Sequence, residues 1–93
     1  MMSFTPIDLK RVNKKEIDQE IARLGMIAEL DAINLYEQLA AMTDNKNLKI
    51  MLMDIAKEEK THVGEFEALL LDLDKEQVRE SEAGKKEVKE KTE

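Results

Sequence analysis

The sequence predicts an all-α protein, an antiparallel two-helix hairpin plus a short C-terminal helix. Three observations support this fold class. The 93 residues include only one Pro and three Gly, apolar residues recur at helical spacing along two long segments, and one short polar run separates those segments. Because a chain this short buries a modest fraction of its surface and often needs a partner subunit, we expect two hairpins to form a four-helix bundle by homodimerisation.

The first helix is predicted over residues 14–42. Residues 1–13 are expected to be an irregular lead-in, because Pro6 lacks a backbone donor and disfavours helix at the residue before it. Asn13 followed by Glu16 has the pattern of a capping box, in which the two side chains bond each other's backbone N–H groups. We therefore place the start of the helix directly after Asn13.

The second helix is predicted over residues 46–73, after a polar run at residues 43–47 whose side chains favour turns and caps. A connection this short makes the two helices antiparallel neighbours, so residues 14–73 form one hairpin domain. The second helix carries a seam with alternating steps of four and three. Its members are Leu48, Leu52, Ile55, Glu59, His62, Phe66, Leu69 and Leu73.

Residues 74–93 are predicted to form a short helix followed by a charged tail or linker. Asp74 and Gln77 have the spacing of a second capping box, which favours a helix over residues 75–83. Gly84 then fits as its terminator. Beyond it the chain is too polar to build a packed core.

The charge balance and the residue inventory exclude several classes of function. The formal net charge is -6, and residues 16–73 alone hold thirteen acidic against five basic residues. This balance opposes nucleic-acid binding and favours cations. With no Cys and a single His, a disulfide framework, a Cys-based zinc site and a cysteine nucleophile are excluded. No apolar run has the length of a membrane span or a signal-peptide core, so we expect a cytoplasmic protein with no membrane partner.

Two polar residues, Glu59 and His62, interrupt the apolar seam of the second helix. An E-x-x-H pair lies on one helical face, about 4.5 Å apart along the axis, so one metal ion can reach both side chains. On the first helix Glu29 lies among small residues that favour close helix approach, where a carboxylate needs compensation. Glu29 lies 16 residues before Asn45, and Glu59 and His62 lie 14 and 17 residues after it. All three are therefore roughly 21 to 26 Å from the turn, at one level of the hairpin.

One chain thus offers two Glu and one His, half of the four-Glu, two-His set that carboxylate-bridged di-metal sites use in four-helix bundles. The sequence contains no second E-x-x-H motif. If two hairpins pair about a two-fold axis, each contributes Glu29, Glu59 and His62, and the set is complete. The single His therefore predicts a homodimer.

These residues resemble the encapsulated ferritins, including the ferritin-like domain that is joined to the encapsulin shell protein in some archaea. The resemblance covers roughly residues 14–80, and its specific part is the spacing of four residues. The segments that carry it are AELDAINLYE at 28–37, EEKTHV at 58–63 and LLLDLD at 69–74, with Glu29, Tyr36, Glu59 and His62 at the specific positions.

The resemblance implies a ferroxidase that oxidises Fe(II) to Fe(III) with O₂ at a di-iron site between two subunits. It implies that Glu29, Glu59 and His62 are iron ligands, with Glu59 bridging, and that Tyr36 lies beside them. It also implies association of dimers into a ring-shaped decamer and a location inside an encapsulin nanocompartment in the cytoplasm, where the iron mineral is stored. Some relatives carry two further acids where iron enters the site, and here only Asp31 can serve that role.

Other interpretations remain open from the residues alone. His62 is also compatible with a half-buried helix histidine that an acidic neighbour satisfies, and Tyr36 with a packing residue. The trio can act as a specificity device in a structural oligomerisation module without catalysis. A rubrerythrin-like di-iron peroxidase is a third possibility, although no Cys-rich electron-transfer segment is present. Zinc and manganese also suit such ligands, so the metal is not fixed.

Overall fold

A computed structural model describes Asn13 and residues 16–93 of the chain. Within these residues the secondary structure is three helices and no strand, namely α1 (Ile17–Met42), α2 (Lys46–Leu73) and α3 (Lys75–Thr92). The all-α prediction is confirmed. Apart from Asn13, the predicted lead-in lies outside the described residues. No helix in this part of the chain has both the length and the apolar character needed to cross a membrane.

The helices α1 and α2 form an antiparallel hairpin around a short turn. Asn45 caps α2, since its side-chain oxygen accepts a hydrogen bond from the Leu48 backbone N–H at 3.0 Å. The Asn45 N–H in turn donates to the Thr43 hydroxyl at 3.1 Å. These local bonds satisfy backbone groups that a helix end leaves unpaired. The second helix therefore begins and ends at the predicted residues, Lys46 and Leu73.

The first helix begins later than predicted. Glu16, not Asn13, occupies the N-cap position of α1, and its side chain makes no capping hydrogen bond. Its N–H donates instead to the Asn13 carbonyl at 2.8 Å, which closes a turn before the helix. With φ of -109° and ψ of -3°, Glu16 departs from helical dihedrals. The predicted start was therefore wrong, and residues 14 and 15 lie outside the described part.

Small side chains form the contact between α1 and α2. Four of the six buried apolar residues are alanines; the full set is Ala22, Ala32, Ile33, Ala40, Ala56 and Leu70. On α2 the buried residues Ala56 and Leu70 lie one position beyond Ile55 and Leu69 of the predicted seam. Leu69 is 58% exposed. The seam therefore lies beside the hairpin contact and leaves apolar side chains exposed on one flank.

The third helix is twice as long as predicted. It runs from Lys75 to Thr92, so the expected stop at Gly84 was wrong. A helix ends at Gly most readily when that residue adopts a positive φ, and none of the described glycines does so. Past Gly84 the exposed helix carries ion pairs at helical spacing, with Lys85 Nζ 3.0 Å from Glu82 Oε1 and Lys86 Nζ 3.8 Å from Glu90 Oε1. Such pairs support a helical segment that is exposed among the described residues.

A polar joint attaches α3 to the hairpin. The Asp74 side chain accepts a hydrogen bond from the Gln77 backbone N–H at 3.0 Å, as expected for the cap of α3. The same carboxylate pairs with Arg23 of α1 at 2.8 Å, and the Gln19 side-chain amide donates to the Leu73 carbonyl at 3.1 Å. Together these bonds fix the direction in which α3 leaves α2.

Candidate metal centre

The hairpin brings Glu29, Glu59 and His62 together. Each of them offers one ligand atom, and these atoms all lie within 4.8 Å of one another. His62 Nδ1 is 3.4 Å from Glu59 Oε2 and 3.5 Å from Glu29 Oε2. Counting residues from the turn therefore predicted correctly that the three side chains lie at the same distance along the hairpin. The short turn leaves the two antiparallel helices little freedom to slide past each other.

The two carboxylates are mostly withdrawn from solvent, whereas the imidazole is not. The exposed fractions of the side chains are 21% for Glu29, 19% for Glu59 and 46% for His62. Glu29 Oε2 is buried and accepts no hydrogen bond. A carboxylate oxygen removed from water without a donor is costly, and two carboxylates facing each other add repulsion. The cluster therefore calls for a positive charge between its oxygens.

The donor set fits a divalent transition metal. Carboxylate oxygens with one imidazole nitrogen suit iron, zinc and manganese, whereas soft metals such as Cu(I) prefer thiolates. His62 presents Nδ1 to both carboxylates, so that atom is the one placed to bind a shared ion.

The remaining predicted site residues lie outside the cluster. Tyr36 is half-buried on α1, about 10 Å along the axis from Glu29, and forms no hydrogen bond with the three cluster residues. Asp31 lies two residues from Glu29, which places the two side chains about 160° apart around the helix. Its Oδ2 is buried and has no hydrogen-bond partner. Neither position tests a role in catalysis or in iron uptake.

Two contacts near the cluster were not predicted. Lys60 of α2 pairs with Glu37 of α1, with 3.4 Å between Nζ and Oε2. The ring of Phe66 lies against Gly25, which is one turn before Glu29. Turn counting could have found the second contact, since Gly25 lies 20 residues before Asn45 and Phe66 lies 21 after it. Neither residue is unusual in a helix interface, so the sequence contains no signal that marks this pair.

Fold and cluster together define a class, a ferritin-like helical hairpin with a carboxylate and histidine cluster between its helices. The chain belongs to the EncFtn-like family, whose model matches residues 6–88. The resemblance to encapsulated ferritins is thereby confirmed.

Similar proteins support the assignment. The chain is 54% identical over 94 aligned positions to a ferritin-like-encapsulin shell fusion protein of Pyrococcus furiosus, a match that covers 99% of this chain and 27% of that protein. It is 44% identical over 69 residues to the encapsulin nanocompartment cargo protein EncC of Myxococcus xanthus, covering 71% of this chain and 53% of that protein. The chain thus spans about a quarter of the length of the shell fusion protein and about half of the length of the cargo protein.

A solved structure matches the fold. The crystal structure of the encapsulated ferritin domain from Pyrococcus furiosus superimposes with a TM-score of 0.84 at 53% sequence identity. The match covers 99% of this chain and 96% of that one. The three-helix arrangement is therefore that of an encapsulated ferritin domain.

Proposed function

We propose that this protein is a ferroxidase that oxidises Fe(II) to Fe(III) with O₂ at a di-iron site formed between two subunits. The observation that carries the proposal is the convergence of Glu29, Glu59 and His62, with a buried Glu29 oxygen that has no hydrogen-bond donor. Membership of the EncFtn-like family supports iron as the metal.

Each residue of the cluster has a distinct task in this proposal. Glu29 and Glu59 would supply hard oxygen ligands that favour Fe(III) over Fe(II), His62 would bind through Nδ1, and Glu59 would be the carboxylate that the two iron ions share. Tyr36 shares the Glu29 side of α1, and we assign it a place beside the completed site, although it bonds to none of the three ligands within one chain. The bound iron supplies the redox chemistry, each Fe(II) giving one electron towards the reduction of O₂. The acidic charge of the hairpin would raise the local concentration of Fe²⁺. Asp31 is the proposed metal-entry residue, although its side chain lies about 160° around α1 from Glu29.

A two-fold dimer completes the site. His62 lies in a stripe on α2 whose members are seven residues apart and share one face, with a drift of about 20° per step. The stripe consists of Leu48, Ile55, His62 and Leu69. Leu48 is 50% and Leu69 58% exposed, and a groove of about 410 Å³ between Leu39, Met42 and Leu48 extends the same apolar flank. Packing two such stripes together covers this surface and brings a second Glu29, Glu59 and His62 to the first.

The dimers assemble further into a decamer of five dimers, and the protein acts inside an encapsulin compartment in the cytoplasm. Two relatives, an encapsulin shell fusion and an encapsulin cargo protein, support the encapsulin location. The decamer is what the resemblance to encapsulated ferritins implies. The shell would store the oxidised iron, and the hairpin would supply it.

The experiment compares iron oxidation by the wild type, Glu59→Ala and Glu58→Ala. The near-ultraviolet absorbance of the Fe(III) product gives the rate under air. We expect Glu59→Ala to fall to the rate of the buffer blank, because it removes the bridging ligand, and Glu58→Ala to keep the wild-type rate. Glu58 is the matched control, since it is a neighbouring carboxylate that points to solvent. Equal rates for the wild type and Glu59→Ala would refute the proposal.

The structural oligomerisation module is the second candidate, and one observation favours it. His62 Nδ1 lies between two carboxylates, and a positive charge on the imidazole would offset one of their two negative charges without a metal. This candidate predicts an assembly that is indifferent to chelators and to added iron, whereas the ferroxidase predicts a metal-stabilised dimer. Sedimentation velocity with and without a chelator separates the two. A crystallographic anomalous map of iron-loaded protein would also show whether the site straddles two chains.

A further inference from the structure

The ring of Phe66 on α2 packs closely against the backbone of α1 at Gly25. A Cβ placed on Gly25 would lie 2.5 Å from Cε1, 2.6 Å from Cδ1 and 2.7 Å from Cζ of the Phe66 ring. Carbon atoms in contact normally lie at 3.5–4.0 Å, so even a methyl group is about 1 Å too close. The ring therefore rests on bare backbone, and any larger residue at position 25 must displace the ring or the helix.

This contact lies one helical turn from the candidate ligands on both helices. Gly25 precedes Glu29 by four residues, and Phe66 follows His62 by four residues. Four residues correspond to about 6 Å along the axis. Since Glu29 belongs to α1 and Glu59 and His62 belong to α2, the distance between the ligand atoms depends directly on the separation of the two helices at this level.

The tolerance of a metal site is smaller than the shift that a methyl group would cause. Ligand groups must be held within about 0.5 Å of the productive geometry, and a displacement of about 1 Å exceeds that limit. Relaxation of the ring alone would spare the site, whereas a change in helix separation would not. Of the three glycines, Gly25 is the one at which an added Cβ would meet the other helix, since a Cβ at Gly64 or Gly84 meets nothing within 4 Å.

We propose that the Gly25–Phe66 contact is the positioning element of the metal centre. The ring sets the separation of α1 and α2 one turn from the ligands, and thereby the distance from Glu29 to the Glu59–His62 pair. This inference rests on the proposed function, because it assigns the contact a role only if the three residues bind metal. Phe66 and Gly25 are positioning residues and touch no substrate.

The test is a titration with Co²⁺, whose visible d–d absorption reports both affinity and coordination geometry. Gly25→Ala is expected to bind Co²⁺ about tenfold more weakly, the scale of losses from residues that orient metal ligands, and to change the shape of the band. Gly25→Ala/Phe66→Leu is expected to recover most of the affinity, because Leu lacks the Cε1 and Cζ atoms that meet the added methyl. Gly64→Ala is the matched control, since a Cβ there meets nothing within 4 Å, and it should bind as the wild type does.

The possible results distinguish the positioning role of the Gly25–Phe66 contact from the existence of the metal centre. Wild-type affinity and spectrum in Gly25→Ala would overturn the positioning role while leaving the ferroxidase intact, as would a folded double variant that binds no better than Gly25→Ala. Failure of Co²⁺ to distinguish the wild type from Glu59→Ala would instead refute the metal centre itself. Circular dichroism checks folding. If Gly25→Ala does not fold, Phe66→Leu alone takes its place, and an unchanged spectrum in that variant would overturn the proposal.

Discussion

Replacement of Leu69 by Ser should weaken the proposed dimer without touching a ligand. Leu69 is 58% exposed in the single chain, and it lies on the same stripe as His62. Complete burial of a Leu side chain contributes about 1.5–3 kcal/mol, so covering the exposed part contributes about 0.9–1.7 kcal/mol per chain. The two-fold axis doubles this to about 1.7–3.5 kcal/mol, or about 20-fold to 300-fold in the dimer dissociation constant.

Sedimentation equilibrium over a range of protein concentrations measures this constant directly. Val88→Ser is the control, because Val88 is 63% exposed but lies on α3, away from the stripe. We expect it to leave the constant unchanged. Equal dissociation constants for Leu69→Ser and the wild type would show that the stripe is not the dimer surface, and the argument for a site shared between chains would lose its packing support.

Two further predictions concern α3. Gly84→Ala should raise helix content and stabilise α3 by about 0.5–1 kcal/mol, since no atom lies within 4 Å of the added Cβ; circular dichroism measures this, and an unchanged helix content would contradict it. The hydrogen bond from the Gln77 backbone N–H, together with Arg23, holds the pKa of Asp74 below its usual value of 3.8. Because the folded-state pKa is depressed, the stabilisation is present above pH 3.8 and is lost as the pH falls through the folded value. Thermal unfolding of Asp74→Asn should therefore lack this acid-induced loss, and matching pH profiles of the two proteins would refute the assignment.

The boundaries that the sequence predicts correctly are those that a single side chain determines. Asn45 and Asp74 each cap a helix with their own oxygen, so the limits of α2 follow from local chemistry. The start of α1 does not, because the Asn13 pattern competes with a turn that its own backbone carbonyl closes. Gly84 misleads for a related reason: glycine permits a helix to end but does not require it.

The site was predictable because chemistry and geometry give independent signals there. Glu29, Glu59 and His62 are polar residues at positions where apolar ones would pack, and counting from Asn45 places them at one level. The Gly25–Phe66 contact obeys the same counting but consists of residues that belong in a helix interface. Only coordinates show that the ring lies on bare backbone. A contact between apolar residues such as this one is therefore not predictable from the sequence, even where the polar residues one turn away are.

In the proposed dimer, the single His would link metal binding to assembly more tightly than a complete site in one chain would. If the ligands of two chains are needed, any metal that binds the dimer stabilises it, and dimerisation tightens metal binding by the same factor. Leu69→Ser, which removes no ligand, should then lower metal affinity at a fixed protein concentration, and Glu59→Ala, which lies beside the apolar stripe, should weaken the dimer. A structural module lacks this reciprocity, because there the metal has no part in the equilibrium. His62 would take part in both equilibria, because its imidazole, 46% exposed, would bind the metal and lies on the stripe that the partner chain would cover.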